Sequence, residues 1–185
     1  MHEDEFKNYQ RKDAINKNKL FLFDLYGTLV DFENVKLVDG VREFLHAAKE
    51  KGYVLGVVTS CEETDIVKSI LENDNVDHMF SFIVSGNESK THEGRLIIAI
   101  ETARKVTGQR FDGKDIFHFD DDERRISGTH KVGIQHVAVM DMPRLTAYIV
   151  GADFLINNFS KKTELIQFLE NNTSNKEKNT KKIKA

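Results

Sequence analysis

The 185-residue chain contains no tryptophan, one cysteine (Cys61) and one proline (Pro143). A single cysteine closes no internal disulfide, which excludes a disulfide scaffold and fits a reducing, cytoplasmic setting. A single proline excludes collagen-like and Pro-rich linker classes. Long apolar runs are missing too. The richest stretch, 20–30, is broken by Asp24, so nothing spans a bilayer and no membrane association is expected. Residues 1–19 mix five basic with four acidic side chains, unlike a secretory signal. What remains is 39% hydrophobic and 31% charged, with a mean hydropathy of -0.46. That composition suits one globular domain with one core.

The net charge of -3 is unevenly spread. Residues 171–185 hold five Lys against one Glu, and 1–19 are nearly balanced, so 20–170 is distinctly acidic. An acidic body argues against a general nucleic-acid binder. The Lys- and Asn-rich end lacks apolar periodicity and reads as a disordered basic tail. The expected organisation is a polar leader (1–19), one domain (20–170) and that tail (171–185).

Within 20–170, short apolar runs alternate with amphipathic stretches. Strands are expected at 20–23, 53–58, 81–84, 116–119, 137–139 and 152–156. Between them the apolar spacing predicts helices. The first is capped by Asp39 and carries Val41, Phe44, Leu45 and Ala48 inward. Others cover 62–72 (Ile66, Ile70, Leu71), 93–106 (Leu96, Ile97, Ile100, Ala103) and 123–132. A Pro143-led turn follows the fifth strand. A last helix, capped by Ser160, buries Leu165, Phe168 and Leu169. Regular strand–helix alternation predicts a three-layer α/β/α, Rossmann-like domain around a parallel sheet. Ligands in such sheets sit at the carboxyl ends of the strands.

Four polar groups fall at those ends: Asp24, Thr59 with Ser60, Lys90, and the run Asp120-Asp121-Asp122. They follow one another at intervals of 30 to 35 residues, one strand–helix unit each, so all can reach one sheet edge. Clustered carboxylates repel unless protonated or bridged by a cation, and oxygen donors suit Mg²⁺. A lysine and hydroxyls beside them suit phosphate. A carboxylate facing phosphorus can act as a nucleophile. Gly27 permits a sharp turn close to the ligand.

Asp24-Leu25-Tyr26-Gly27-Thr28-Leu29, Thr59 after Val57-Val58, Lys90 before a helix and the acidic run 120–122 together resemble the four ordered motifs of the haloacid dehalogenase-like hydrolase superfamily. Gly133-Ile134 stands at that family's turn into the next strand, and the likeness covers about 20–169. It implies Asp24 as nucleophile and metal ligand. It also implies the Tyr26 backbone carbonyl as a second ligand, Asp121 or Asp120 completing the set, and Thr59, Ser60 and Lys90 holding a phosphoryl group. Counting back from Gly133 favours Asp121, with Asp120 alongside.

The pattern departs from the family's phosphatases at Tyr26, where they carry a second Asp that protonates the leaving oxygen. Tyrosine, with a pKa near 10, is a poor reusable acid at neutral pH. Tyr26 is instead what metal-free dehalogenases carry, but those have a helical lid. Here ten residues, 29–38, separate Thr28 from the next helix, and three consecutive aspartates ill suit a metal-free site. The expected activity is therefore Mg²⁺-dependent hydrolysis of a phosphate monoester through an aspartyl-phosphate at Asp24, weakened by Tyr26. The alternatives are a catalytically silent phospholigand- or protein-binding module and, less favoured, a 2-haloacid dehalogenase. A lidless site suits a phosphate carried on something larger. Asp122 reads as a helix-start acid, Arg124 and Arg125 as a solvated helix face, and Cys61 as a packing residue. The seven histidines show no pair at ligand spacing, so no zinc site is expected.

Overall fold

The computed structural model describes residues 19–160 and 164–171. The leader and the basic tail therefore lie outside the described residues, apart from Lys19 and Asn171. Six strands form one parallel sheet: β1 (Leu20–Phe23), β2 (Val54–Val58), β3 (Phe82–Val84), β4 (Ile116–Asp120), β5 (His136–Met140) and β6 (Phe154–Ile156). Their order is β3-β2-β1-β4-β5-β6. Successive units step outward from β1 in one direction and from β4 in the other. The switch point thus lies between β1 and β4, where a doubly wound sheet opens its ligand crevice.

The strands are buried on both faces, which explains their near-continuous apolar runs. Alternation sends Phe21 and Phe23 to one face and Leu20 and Leu22 to the other. On the first face, Phe117, Phe119 and Phe154 join α1 (Val41–Glu50), α2 (Thr64–Asn73) and the helical segment α6 (164–171). Phe23 and Phe119 stack with ring centres 4.6 Å apart. On the second face, Leu20, Leu22 and Ile116 pack on α3 (His92–Thr107), while Val137 and Val139 pack on α4 (Glu123–Lys131) and α5 (Arg144–Ile149). This is the expected three-layer α/β/α sandwich. Between β1 and α1 the chain makes only a short excursion, bridged at Val30 and Leu37, and no cap domain is inserted.

Several local readings shift. Helix α1 is preceded by Gly40 in a left-handed conformation, with no side-chain cap from Asp39. Helix α2 starts at Thr64, and Val67 takes the inward place expected of Ile66, which is exposed. Thr91 caps α3 by accepting from the Gly94 amide at 3.1 Å. In α3 Ile97 is exposed, while Arg95 is buried. The Pro143 turn continues into the two-turn helix α5, and β6 starts at Phe154. In α6 Ile166 and Leu169 are buried, whereas Phe168 is exposed. Residues 161–163, next to the expected Ser160 cap, lie outside the described residues.

Candidate active site

The β1–β4 ladder pairs Phe23 with Phe119 and continues through the Asp24 amide, which donates to the Phe119 carbonyl at 2.9 Å. Asp24 and Asp120 thereby leave adjacent strands side by side. Alternation points both toward α3 and α4. Asp24, Asp120 and Asp121 each offer a carboxylate oxygen within 4.8 Å of the others. Asp24 and Asp120 are buried, Asp121 half-buried. Burial first, then the neighbouring Asp120, pushes the Asp24 carboxyl up to about 8, against the pull of Arg125. Burial also raises Asp120 and Asp121 above the ordinary carboxylate range. Such a set of oxygens, costly to ionise alone, fits a hard divalent cation.

Gly27 has a φ of 79°, and a Cβ there would stand 2.1 Å from Asp121 Oδ2. Asp121 therefore lies against Gly27. Asp120 has other partners. Its Oδ1 accepts the Asp122 amide at 2.9 Å, and both its oxygens lie 3.4 Å from Arg125 Nη1.

Arg125 also reaches Asp24, with Nη1 3.0 Å from Oδ1. Burial opposes its charge, but Asp120, Asp24 and Asp122 outweigh that and hold the guanidinium above its ordinary pKa. This corrects the reading of Arg125 as solvated. The sequence did carry a signal: residues 122, 125, 126 and 129 share one helix face, and Ile126 and Thr129 are buried on it. Arg124 is exposed and pairs with Asp122, which caps α4 through the Arg124 amide.

Thr59 is buried at the tip of β2, its Oγ1 accepting the Cys61 amide at 3.2 Å, and Ser60 follows it into the cleft. Tyr26 stacks on Phe32 with ring centres 5.7 Å apart. Burial, then Cys61, raises its phenol above its usual pKa, so it is a weaker acid than free tyrosine. These groups, with Asp24, Asp121, Arg125, Met142 and Pro143, line a cleft of about 630 Å³.

Lys90 is not brought to the carboxylates. Its side chain is 73% exposed and its Nζ lies 2.5 Å from Glu62 Oε1. The preceding loop folds back on 60–64: Asn87 donates to the Glu62 carbonyl, and the Gly86 amide donates to the Cys61 carbonyl at 2.8 Å. Glu62 is then the acid nearest to Lys90.

The fold also gathers histidines that the sequence keeps 26 residues apart. Thr129 Oγ1 lies 3.1 Å from His92 Nε2 and 3.1 Å from His118 Nδ1, and His118 Nε2 faces Asp120 Oδ2 at 3.6 Å. Ligand atoms of His92, His118 and Asp120 fall within 4.8 Å of one another, contrary to the scattered picture drawn from spacing. Burial lowers His92 to about 4, helped by His118, and lowers His118 to about 3, helped by Arg125. Both rings are therefore neutral at pH 7. Arg95 completes the surroundings, donating from Nη1 to the Ser89 carbonyl at 2.9 Å.

Residues 2–139 match the model of the haloacid dehalogenase-like hydrolases. The chain belongs to this family. No curated protein matches the sequence. Solved structures share the fold. A predicted phosphatase from Clostridium acetobutylicum is 22% identical over 71% of this chain and 61% of its own, with a TM-score of 0.59. The chain thus spans less than two thirds of that protein's length. A haloacid dehalogenase-like family protein from Streptococcus pneumoniae is 13% identical over 82% of this chain and 98% of its own, with a TM-score of 0.65. CbbY from Rhodobacter sphaeroides, solved with phosphate, is 13% identical over 77% of this chain and 95% of its own, with a TM-score of 0.62. Among the described residues of this haloacid dehalogenase-like hydrolase, no helix is long and apolar enough to cross a membrane.

Proposed function

We propose that the protein hydrolyses phosphate monoesters, with Asp24 as nucleophile and Mg²⁺ as cofactor. The observation that carries this reading is the convergence of Asp24, Asp120 and Asp121 at the β1–β4 switch point, with Asp24 and Asp121 lining a cleft that also holds Thr59, Arg124 and Arg125. The residues that would hold the cation are Asp24, Asp121 and the Tyr26 carbonyl. When bound, the cation neutralises the carboxylates and the phosphate, removing the repulsion that otherwise keeps an anionic nucleophile from an anionic substrate.

Asp24 is carried by a strand end locked into the sheet, so its carboxylate is held in position for in-line attack. One of its oxygens bonds to phosphorus as the ester P–O bond breaks, leaving an aspartyl-phosphate and an alkoxide or phenoxide. The leaving oxygen takes a proton from solvent. Water then attacks phosphorus and gives up one proton to solvent as the Asp24–O–P bond breaks, so that the alcohol or phenol and hydrogen phosphate leave and the Asp24 carboxylate is regenerated. The Thr59 and Ser60 hydroxyls donate to phosphoryl oxygens from the tip of β2.

Tyr26 stands where proton transfer to the leaving group is needed, and its raised pKa makes it a poor donor. The protein is accordingly a slow phosphatase that favours substrates whose leaving oxygen needs little protonation. The uncapped cleft leaves room for a phosphate carried on a larger molecule. The lone cysteine fits action in the cytoplasm. Tyr26 equally motivates a second reading, a module that binds a phosphorylated ligand without turnover. Hydrolysis of 4-nitrophenyl phosphate by the protein and its Asp24→Asn variant separates the two. The first reading requires a rate that the substitution removes.

A further inference from the structure

A fixed positive side chain beside Asp24 and the phosphate would stabilise the charge of the transition state. Of the nearby arginines, exposed Arg124 pairs with Asp122 and buried Arg95 donates to the Ser89 carbonyl, which leaves Lys90 and Arg125. Lys90 is directed away, its ammonium 2.5 Å from Glu62 and its side chain outside the cleft wall. Arg125 is 22% exposed and lines the cleft with Thr59 and Ser60. Its Nη1 lies 3.0 Å from Asp24 Oδ1 and 3.4 Å from Asp120 Oδ2, and its Nε 3.5 Å from Asp122 Oδ2.

We infer that Arg125, and not Lys90, is the cation that meets the transferring phosphoryl group, that Asp120 serves to hold Arg125, and that the divalent ion falls to Asp24 and Asp121. This rests on the phosphatase reading above and assigns the cation to a different element, α4, than the motif order implied.

The two neighbouring aspartates are built for different tasks. Asp120 is engaged by Arg125 and by the Asp122 amide, and faces His118 Nε2 at 3.6 Å. Asp121 forms no ion pair among the described residues, and its Oδ2 lies against Gly27. A guanidinium has five N–H donors in a planar fork, so it can keep its carboxylate contacts and still present donors to two phosphoryl oxygens. The Lys90 ammonium, paired with Glu62 outside the cleft wall, is a point charge without that fork. Helix α4 fixes Arg125 in turn: Asp122 caps its first turn, and Ile126 and Thr129 are buried on the face that carries residue 125.

The test is calorimetric and needs no turnover. Inorganic phosphate is titrated into the Mg²⁺-loaded protein, and Mg²⁺ into the metal-free protein, for the parent chain and for Arg125→Gln, Arg125→Lys, Lys90→Gln and Asp121→Asn. Expected are a phosphate affinity about tenfold or more weaker in Arg125→Gln, partial recovery in Arg125→Lys, and no change in Lys90→Gln. Mg²⁺ affinity should survive in Arg125→Gln and fall in Asp121→Asn. The Lys variant retains the positive charge, and retained Mg²⁺ binding in the Gln variant shows that it is folded. Loss of phosphate binding in Lys90→Gln with retention in Arg125→Gln overturns the assignment. So does a Gln variant that keeps its phosphate affinity while binding Mg²⁺ more tightly, because Arg125 is then only a stand-in for the metal. A parent chain that binds neither Mg²⁺ nor phosphate defeats the phosphatase reading itself.

Discussion

Asp121 and Gly27 interlock: the Asp121 carboxylate fills the space in which any side chain at residue 27 would begin, with Oδ2 2.1 Å from the position of a Cβ. Gly27 also has a φ of 79°, which L residues adopt at a cost. Gly27→Ala should therefore leave the fold intact but displace Asp121. Mg²⁺ affinity, measured by calorimetry, should fall on the order of tenfold or more, the range that follows when a ligand's supporting contacts are disturbed. An unchanged affinity would show that Asp121 does not ligate the ion.

Tyr26→Asp restores a carboxylic acid beside the cleft. A positioned acid contributes on the order of 10²–10⁴ in rate, so turnover of alkyl phosphates should rise at least tenfold. Aryl phosphates, whose leaving groups need less help, should gain less. A series of substrates with graded leaving-group pKa reads this directly: the parent chain should show a steep dependence and the variant a shallow one. Equal slopes would mean that residue 26 takes no part in proton transfer.

His92 and His118 are held neutral by burial, near 4 and 3 against an ordinary 6.5. Below pH 6.5 the unfolded chain binds protons at both rings that the folded chain refuses, so stability falls as pH drops from about 6.5 toward 4. Urea midpoints taken across that window should decline with acid, and more shallowly in His92→Gln. Parallel curves for the two proteins would show that His92 titrates alike in both states.

Much of this arrangement is legible in the sequence because it follows from strand alternation. Leu20 to Phe23 and Ile116 to Phe119 announce themselves as buried strands, and a parallel sheet delivers Asp24, Thr59 and Asp120 to one edge whatever the loops do. Side-chain direction within loops and short helices follows other rules. The spacing puts Lys90 at the correct edge, but whether its ammonium turns to Asp24 or to Glu62 depends on how 85–91 folds against 60–64. Charge alone suggests solvent for Arg125, yet it turns inward. What decides its direction is the face shared with Ile126 and Thr129 and the two carboxylates waiting on β1 and β4. Helix α3 shows the same inversion: Arg95 is inside among the charges of the site while Ile97 faces water. His92 and His118 meet only because the first turn of α3 comes to lie near Thr129 of α4 and the end of β4, a relation no local window contains.

The central claim is that a divalent ion shared between strand tips lets Asp24 attack phosphorus. The most direct test is the rate of 4-nitrophenol release from 4-nitrophenyl phosphate as MgCl₂ is added to metal-stripped protein. A saturable rise from a near-zero baseline, absent in Asp24→Asn, is the predicted result. A rate independent of added Mg²⁺, or one that survives the loss of the Asp24 carboxylate, would contradict it.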